Sequence, residues 1–342
     1  MKDSFSARRT ELAVTINGMD VTKYVAPHLK DFSFKDNAKG KADEVQLTLM
    51  DKYELWQDRW FINKGDKVTA SLTCKDWYAP DDNILLPMGL FTVDDVELSG
   101  PPNTFRVKAV SAAKTSSLSE EQRTQGWETY TLERIAKEIA GRHGYTLMYD
   151  APEIPFDRID QRETSDLAFI HTLAGKYGIN TKVHDKQLIL FGAKEWDAKK
   201  PRFVIPKKNS AFSPTSYSFK KTAQGTAKSA QVAYHDPAKR ETVKADVPVQ
   251  GTPPSGQNLT LNQRTENAAQ AIALGKGALR QANEKEQTAT MDFMGFPGLV
   301  AGITVRCEGW GKFDGVYFVE SAEHKLARAY TTSAELRKVL DY

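Results

Sequence analysis

Cysteine is nearly missing from this chain: of 342 residues only Cys74 and Cys307 are cysteines, far apart and without a CxxC pair. That excludes a disulfide framework and a thiolate metal site, and leaves buried free thiols as the expectation. Histidine is as sparse. His28, His143, His171, His184, His235 and His324 are scattered, with no HExxH, HxH or Cys/His pairing, so neither a metal nor a cofactor is expected. Charge of one sign is missing too, because 47 Lys and Arg face 44 Asp and Glu for a formal net charge of +3. No overall field would gather nucleic acid or anionic lipid. The dense cations, Lys199, Lys200, Arg202, Lys207 and Lys208, then Lys220 and Lys221, sit among Pro and Ser and read as a solvated linker. Nowhere do about 18 apolar residues run together, and the first ten residues are polar, so membrane span and signal peptide are not expected. Synthesis and folding in a cytoplasm are.

Catalytic signatures are missing as well. There is no GxSxG elbow, and Ser165, Asp166 and His171 lie on one helical pattern whose geometry sends them to different faces. Gly275-Lys276-Gly277 lacks the third glycine and the preceding strand of a dinucleotide fingerprint. Neighbouring acids such as Asp94-Asp95 fall in a strand, where they point to opposite faces and cannot flank one glycosidic bond. No catalytic, cofactor-binding or metal-binding residue is assigned, and the chain reads as a non-enzyme.

What is present is ordinary core material: 40% apolar and 27% charged residues, in a chain long enough for two to four domains. Residues 12–110 read as strands, from Leu12-Ala13-Val14-Thr15-Ile16 with its Asn17-Gly18 turn to the alternating Val45-Gln46-Leu47-Thr48-Leu49. The period then changes. Leu132, Ile135, Ala136, Ile139 and Ala140 mark one face of a helix. A second helix opens on Thr164-Ser165-Asp166, with Ser165 or Thr164 as cap oxygen, Asp166 favouring the positive end, and Leu167, Phe169 and Ile170 following. Residues 201–214 look like a connector and 247–256 like a long loop, and they flank a short strand read around Ala230 to Tyr234. A helix is expected over about 265–283 with Ile272 and Leu279 inward, and strands return at 303–307, 316–323 and 331–339. The loop 77–87 reads as an exposed excursion, with Trp77, Tyr78 and Trp310 as candidate exposed aromatics.

One internal comparison organises the rest. Gly89-Leu90-Phe91-Thr92-Val93-Asp94-Asp95-Val96-Glu97 overlays Gly315-Val316-Tyr317-Phe318-Val319-Glu320-Ser321-Ala322-Glu323 without a gap. Each copy follows a Gly-led strand, at Gly65 and Gly302. Gly89, Phe91, Val93 and Glu97 therefore match Gly315, Tyr317, Val319 and Glu323 as a structural repeat. The expected fold is α+β, mainly β: two related small antiparallel β-barrels with an inserted α+β module. The divisions are 1–115, 116–200 and 201–342, the last comprising connector and second barrel. Different strand orders in the two end units would refute the duplication.

With this element order, the run Gln161-Arg162-Glu163-Thr164-Ser165-Asp166-Leu167-Ala168-Phe169 leading to Tyr177-Gly178 resembles the phage late control protein D family. It is also similar to the hub part of type VI secretion spike proteins. The resemblance spans essentially the whole chain. It implies a structural baseplate hub of a contractile tail or related injection particle: a homotrimeric ring adapting the hexameric tail tube to the trimeric spike. Implied partners are its own copies, the tail tube protein and the spike protein, with the tape-measure and baseplate wedge proteins as further candidates. No membrane and no sequence-specific nucleic acid is among them. The implied location is the virion, in the tail baseplate, after assembly in the host bacterial cytoplasm. The spike is expected as a separate polypeptide, since no needle follows Tyr342. Two alternatives remain, a tail-associated cell-wall hydrolase and a glycan-binding module.

Overall fold

The computed structural model describes residues 7–111, 117–223, 225–236, 241–249, 256–263 and 265–341. The first end unit holds β1 (Arg9–Ile16), β2 (Met19–Asp20), the single-turn α1 (Thr22–Val25), β3 (Leu29–Asn37), β4 (Glu44–Met50), β5 (Lys67–Lys75), β6 (Ile84–Ser99) and β7 (Thr104–Ser111). Alternation makes these strands. In β5 each second residue, Val68, Ala70, Leu72 and Cys74, is buried, because successive side chains leave a strand on opposite faces. The buried sides meet in one core with Phe32, Phe34, Leu47, Phe91 and Phe105.

The inserted module follows. It contains α2 (Ser117–Glu120), β8 (Gln122–Thr131), α3 (Leu132–Arg142), β9 (Thr146–Asp150), β10 (Pro155–Ser165), α4 (Asp166–Lys176), β11 (Ile179–His184), β12 (Gln187–Gly192) and α5 (Ala193–Asp197). β8 and β10 form one antiparallel ribbon, while β12 pairs antiparallel with β11 and parallel with β9. The face read from the sequence is the face α3 buries, with Thr131 Oγ1 accepting from the Arg134 N–H at its start. Trp127, Ile135, Ile170 and Leu188 close a core separate from the first.

The last third comprises β13 (Phe203–Pro206), β14 (Ser216–Lys221), β15 (Ala227–Asp236), β16 (Glu241–Pro248), β17 (Gln257–Leu261), α6 (Ala268–Asn283), β18 (Gln287–Phe293), β19 (Thr304–Glu308), β20 (Gly315–Leu326) and β21 (Tyr330–Lys338). Four expectations change here. The connector 201–214 carries β13, which pairs in parallel with β19. The strand read near 230–234 is part of a three-stranded sheet, β16–β15–β17, on which α6 packs. The loop read at 247–256 begins within β16, and 250–255 lie outside the described residues. Leu279 is buried as read, but Ile272 is 41% exposed, where it lines an open cavity with Tyr177 and Val247. The glycines of Gly275-Lys276-Gly277 have a packing reason. A Cβ at Gly277 would sit 2.5 Å from the Lys176 carbonyl oxygen and 2.6 Å from the Gly178 nitrogen, so only glycine lets α6 approach the end of α4.

The two end units have the same strand order. The first runs β1–β5–β6–β7–β4–β3 and the second β13–β19–β20–β21–β18–β14, each strand standing where its counterpart in chain order stands. The repeated run has the same pairing in both copies. Thr92 and Phe91 oppose Lys67 and Val68, as Phe318 and Tyr317 oppose Thr304 and Val305. The register slips between Val93 and Asp95 in β6 and between Val319 and Ser321 in β20, so the bulge lies at the same aligned place. The Gly65 N–H donates to Val93 O and the Gly302 N–H to Val319 O, each at 2.9 Å. Both glycines have positive φ, 93° and 84°, which a side chain would oppose. One difference stands out: β1 joins β5 antiparallel, whereas β13 joins β19 parallel.

Both thiols are buried, Cys74 in the first core and Cys307 in the second. Burial pushes each up to about 12, which leaves about one thiolate in ten thousand at about pH 8. Iodoacetamide is therefore expected to leave the native chain unlabelled and to add two labels after unfolding in urea, counted by mass spectrometry. Rapid native labelling would contradict this burial.

Candidate assembly site

The two end units meet edge to edge. The second half of β20, residues 321–326, pairs antiparallel with β3, which makes the strands of both units one continuous sheet. At the centre of this seam His324 lies opposite Phe34, with ring centroids 6.0 Å apart and planes 15° from parallel. Its Nδ1 is 2.7 Å from the Tyr330 hydroxyl and 3.3 Å from Thr332 Oγ1. Burial holds the Tyr330 hydroxyl above its ordinary range, so it stays protonated beside the ring. Burial also lowers the imidazole to about 4, which keeps His324 neutral near pH 7.

Two ionic clusters fasten the inserted parts to the seam. In the first, Lys182 of β11 reaches Asp36 of β3 at 2.6 Å and Asp43 at 3.4 Å, while Asp36 also accepts from the Ala301 N–H at 2.9 Å. Burial would lower the Lys182 ammonium, but the two carboxylates outweigh it and raise it, so it stays charged. In the second, Asp197 at the end of α5 accepts from Arg337 of β21 through both oxygens, at 2.8 and 2.9 Å, and also from Arg280 of α6. Arg337 faces Glu320 at 3.5 Å, and Lys39 binds Glu284 at 2.6 Å. This cluster draws together the module, α6, and both end units. Sequence reading missed it because its members are separated by up to 298 positions (Lys39 to Arg337), and an isolated Asp at the end of a short helix carries no signal.

The residues singled out from sequence fall in two places. Phe91, Val93, Tyr317 and Val319 are core residues, Gly89 and Gly315 have positive φ, Glu97 is exposed and ion-paired with Arg106 at 2.6 Å, and Glu323 opposes Lys35 across the seam. At the helix, Ser165 Oγ accepts from the Ala168 N–H, Phe169 stacks on Trp127, and Leu167 lines a groove with His171, Lys35, Lys41 and Lys182. Asp166 does more than favour the helix end. Fully buried, it accepts from Gln161, Arg142 and His143 at 2.8 Å each, and Ser117 Oγ lies 2.7 Å from the other ring nitrogen of His143. Burial would raise the Asp166 carboxyl, but these hydrogen bonds and the Arg142 charge outweigh it and hold it below its ordinary value. The carboxylate clamps the ends of α3, β10 and α4, and His171 is no part of the clamp.

The aromatics considered for glycan contact are mostly covered. Trp77 is 6% and Trp310 9% exposed. The 77–87 loop folds onto the second end unit: Trp77 Nε1 donates to Gly295 O at 3.0 Å, and Tyr78 packs on Phe212 and Phe296. The expected excursion is thus largely an internal brace, because its apolar residues outweigh the acidic tip. Among the described residues no group of three or more His, Cys, Asp and Glu could hold a metal ion, and no helix is long and apolar enough to cross a membrane.

No family model matches the chain. Over 185 residues it is 28% identical to the probable baseplate hub protein of Escherichia phage 186, covering 53% of this chain and 44% of that protein. Over about half of its length the chain resembles phage baseplate hub proteins. The aligned part spans less than half the length of that relative. Among solved structures, a tail protein from Neisseria meningitidis is similar with a TM-score of 0.72 at 12% identity, over 97% of this chain and 98% of that one. An E. coli component of the type VI secretion system is similar with a TM-score of 0.54 at 9% identity, over 90% of this chain and 73% of that one. These two likenesses are of fold. The likeness to the Neisseria tail protein takes in both end units and the module between them.

Proposed function

We propose that this chain is a structural baseplate hub of a contractile tail or related injection particle, acting as a homotrimer without catalysis. The observation that carries the reading is the pair of end units with the same strand order and the same bulge, already joined edge to edge through β3 and β20. Three copies of such a pair give six similar units about one axis, a ring with pseudo-sixfold and true threefold symmetry. One face then suits a sixfold tail tube and the other a threefold spike. The curated relative of phage 186, a probable baseplate hub protein, supports the same assignment. The divisions 1–115, 116–200 and 201–342 fit the separate cores, with residues 227–283 as a further insert in the last. Placement in the tail baseplate of a virion, after assembly in the host cytoplasm, belongs to this reading, as do contacts with tape-measure and wedge proteins.

The test is native mass spectrometry of the purified chain alone and with the spike and tube proteins encoded beside it. A trimer that binds both is the expected result; a monomer at every concentration that binds neither overturns it. Zymography on bacterial cell walls tests the absence of catalysis, and clearing around the chain would reinstate the hydrolase.

A further inference from the structure

The internal seam has a counterpart whose two halves lie apart in one chain. In β20 the first half, 315–318, pairs with β19, and the second half, 321–326, offers its outer edge to β3. β6 is built alike. Its residues 84–92 pair with β5, while 95–99 pair with β7 on one side only; among the described residues no strand takes the other side. Its counterpart partner would be the strand equivalent to β3 in the second unit, which is β14. β14 pairs with β18 and, among the described residues, with no other strand. Such open edges present rows of backbone donors and acceptors that favour strand addition.

We propose that residues 95–99 of β6 in one copy pair antiparallel with β14 of a second copy, repeating between chains the seam that β20 and β3 make within one. This rests on the hub reading above and names the surface that would close its ring. The register follows from the two end units. Phe34 opposes Val45 and Val45 opposes Ala109, as Phe219 opposes Ala289 and Ala289 opposes Leu336. Ala109 and Leu336 are themselves equivalent through Val93 and Val319. Phe219 is therefore the counterpart of Phe34, and Leu98 of His324. Carrying the internal pairs across sets Leu98 against Phe219, Ser99 against Ser218, and Glu97 against Lys220, the last repeating the Glu323–Lys35 pair of the internal seam.

The surfaces suit each other chemically. Leu98 is 50% and Tyr217 43% exposed, each the kind of apolar group that a second strand would cover. In this register Glu97 faces Lys220, and opposite charges facing each other across strands stabilise a pair. The occupant is thus a second copy of this chain, because only that copy carries the matching register.

Facing residues in antiparallel strands have Cα atoms about 4.5–5.5 Å apart, within disulfide range. Ser99→Cys combined with Ser218→Cys is therefore expected to convert the chain, under mild oxidation, into a covalently linked trimer on non-reducing gels. Either single variant should run as a monomer there, and the native thiols are buried. As a second variant, Glu97→Lys should lower self-association severalfold and Glu97→Lys with Lys220→Glu should restore it, read by sedimentation. A reduced double-cysteine protein that sediments as a trimer yet does not cross-link, with charge reversal also silent, overturns this interface and leaves the hub reading standing. A wild-type chain that is monomeric throughout removes both.

Discussion

Replacing Asp197 with alanine will cost about 3–5 kcal/mol of stability, the range for breaking a buried ion pair from one side. Asp197 is 5% exposed and Arg337 fully buried, and Arg280 points at the same carboxylate. Removing the carboxylate leaves two guanidinium groups with little water to replace it; Glu320 at 3.5 Å from Arg337 is the nearest remaining anion. The loss should be regional. Because Asp197 ends the module while Arg280 and Arg337 belong to α6 and β21, hydrogen exchange should rise at the junctions of these elements before it rises in the first core. Urea unfolding of the wild type and Asp197→Ala measures the cost. Asp197→Leu combined with Arg280→Met and Arg337→Met should recover much of it, since an apolar replacement removes the buried charges together. A loss under about 1 kcal/mol for the single variant would show that the cluster is hydrated and does little to join the parts.

Acid will open the seam through His324. Burial lowers its imidazole to about 4 against an ordinary 6.5. The unfolded chain therefore takes up a proton at higher pH than the folded one. The sign is that of a depressed base: the contribution is whole above about 6.5 and is lost as pH falls from there towards 4. A difference of this size amounts to about 3 kcal/mol. Protonated, His324 would carry a charge against Phe34 in the buried seam. Protection factors of the amides at 321–326 and in β3, followed between pH 7 and 4, report the opening directly. His324→Gln keeps a polar partner for Tyr330 but cannot titrate, so its protection should fall less over the same range. Parallel loss in both proteins would assign the acid effect to carboxylates held below their ordinary range, such as Asp166 and Asp292.

The periodic features were legible because they are local. The buried stripe of α3, the Ser165 cap and the alternation of β4 and β5 depend on neighbours a few residues away. The duplicated run was legible for a related reason: a strand with a bulge at its middle needs a glycine before it, an aromatic and a valine inward, and a tolerant position at the bulge. The misreadings were of another kind. Trp77 in an acidic loop and Phe203 in a Lys- and Pro-rich stretch carry apolar residues whose partners, Tyr330 and Phe296, lie far along the chain. Polar composition outvoted them in a local reading. Asp166 was read as a helix-end charge and proved to be a buried clamp, since Arg142 and His143 reach it from another helix.

By itself the sequence determined the mainly β character, the two related end units, the inserted helices and the likeness to tail hub proteins. Each of these is written in spacing and in residue type. Only the tertiary structure decided that the end units share one sheet through β3 and β20, that Asp197 gathers Arg280 and Arg337 from α6 and β21, and which strand edges remain open among the described residues. Those are long-range pairings. Hydrogen-bonded backbone edges look alike whichever strand they meet, so the choice of partner is made by the packing of whole units and leaves little trace in any one segment.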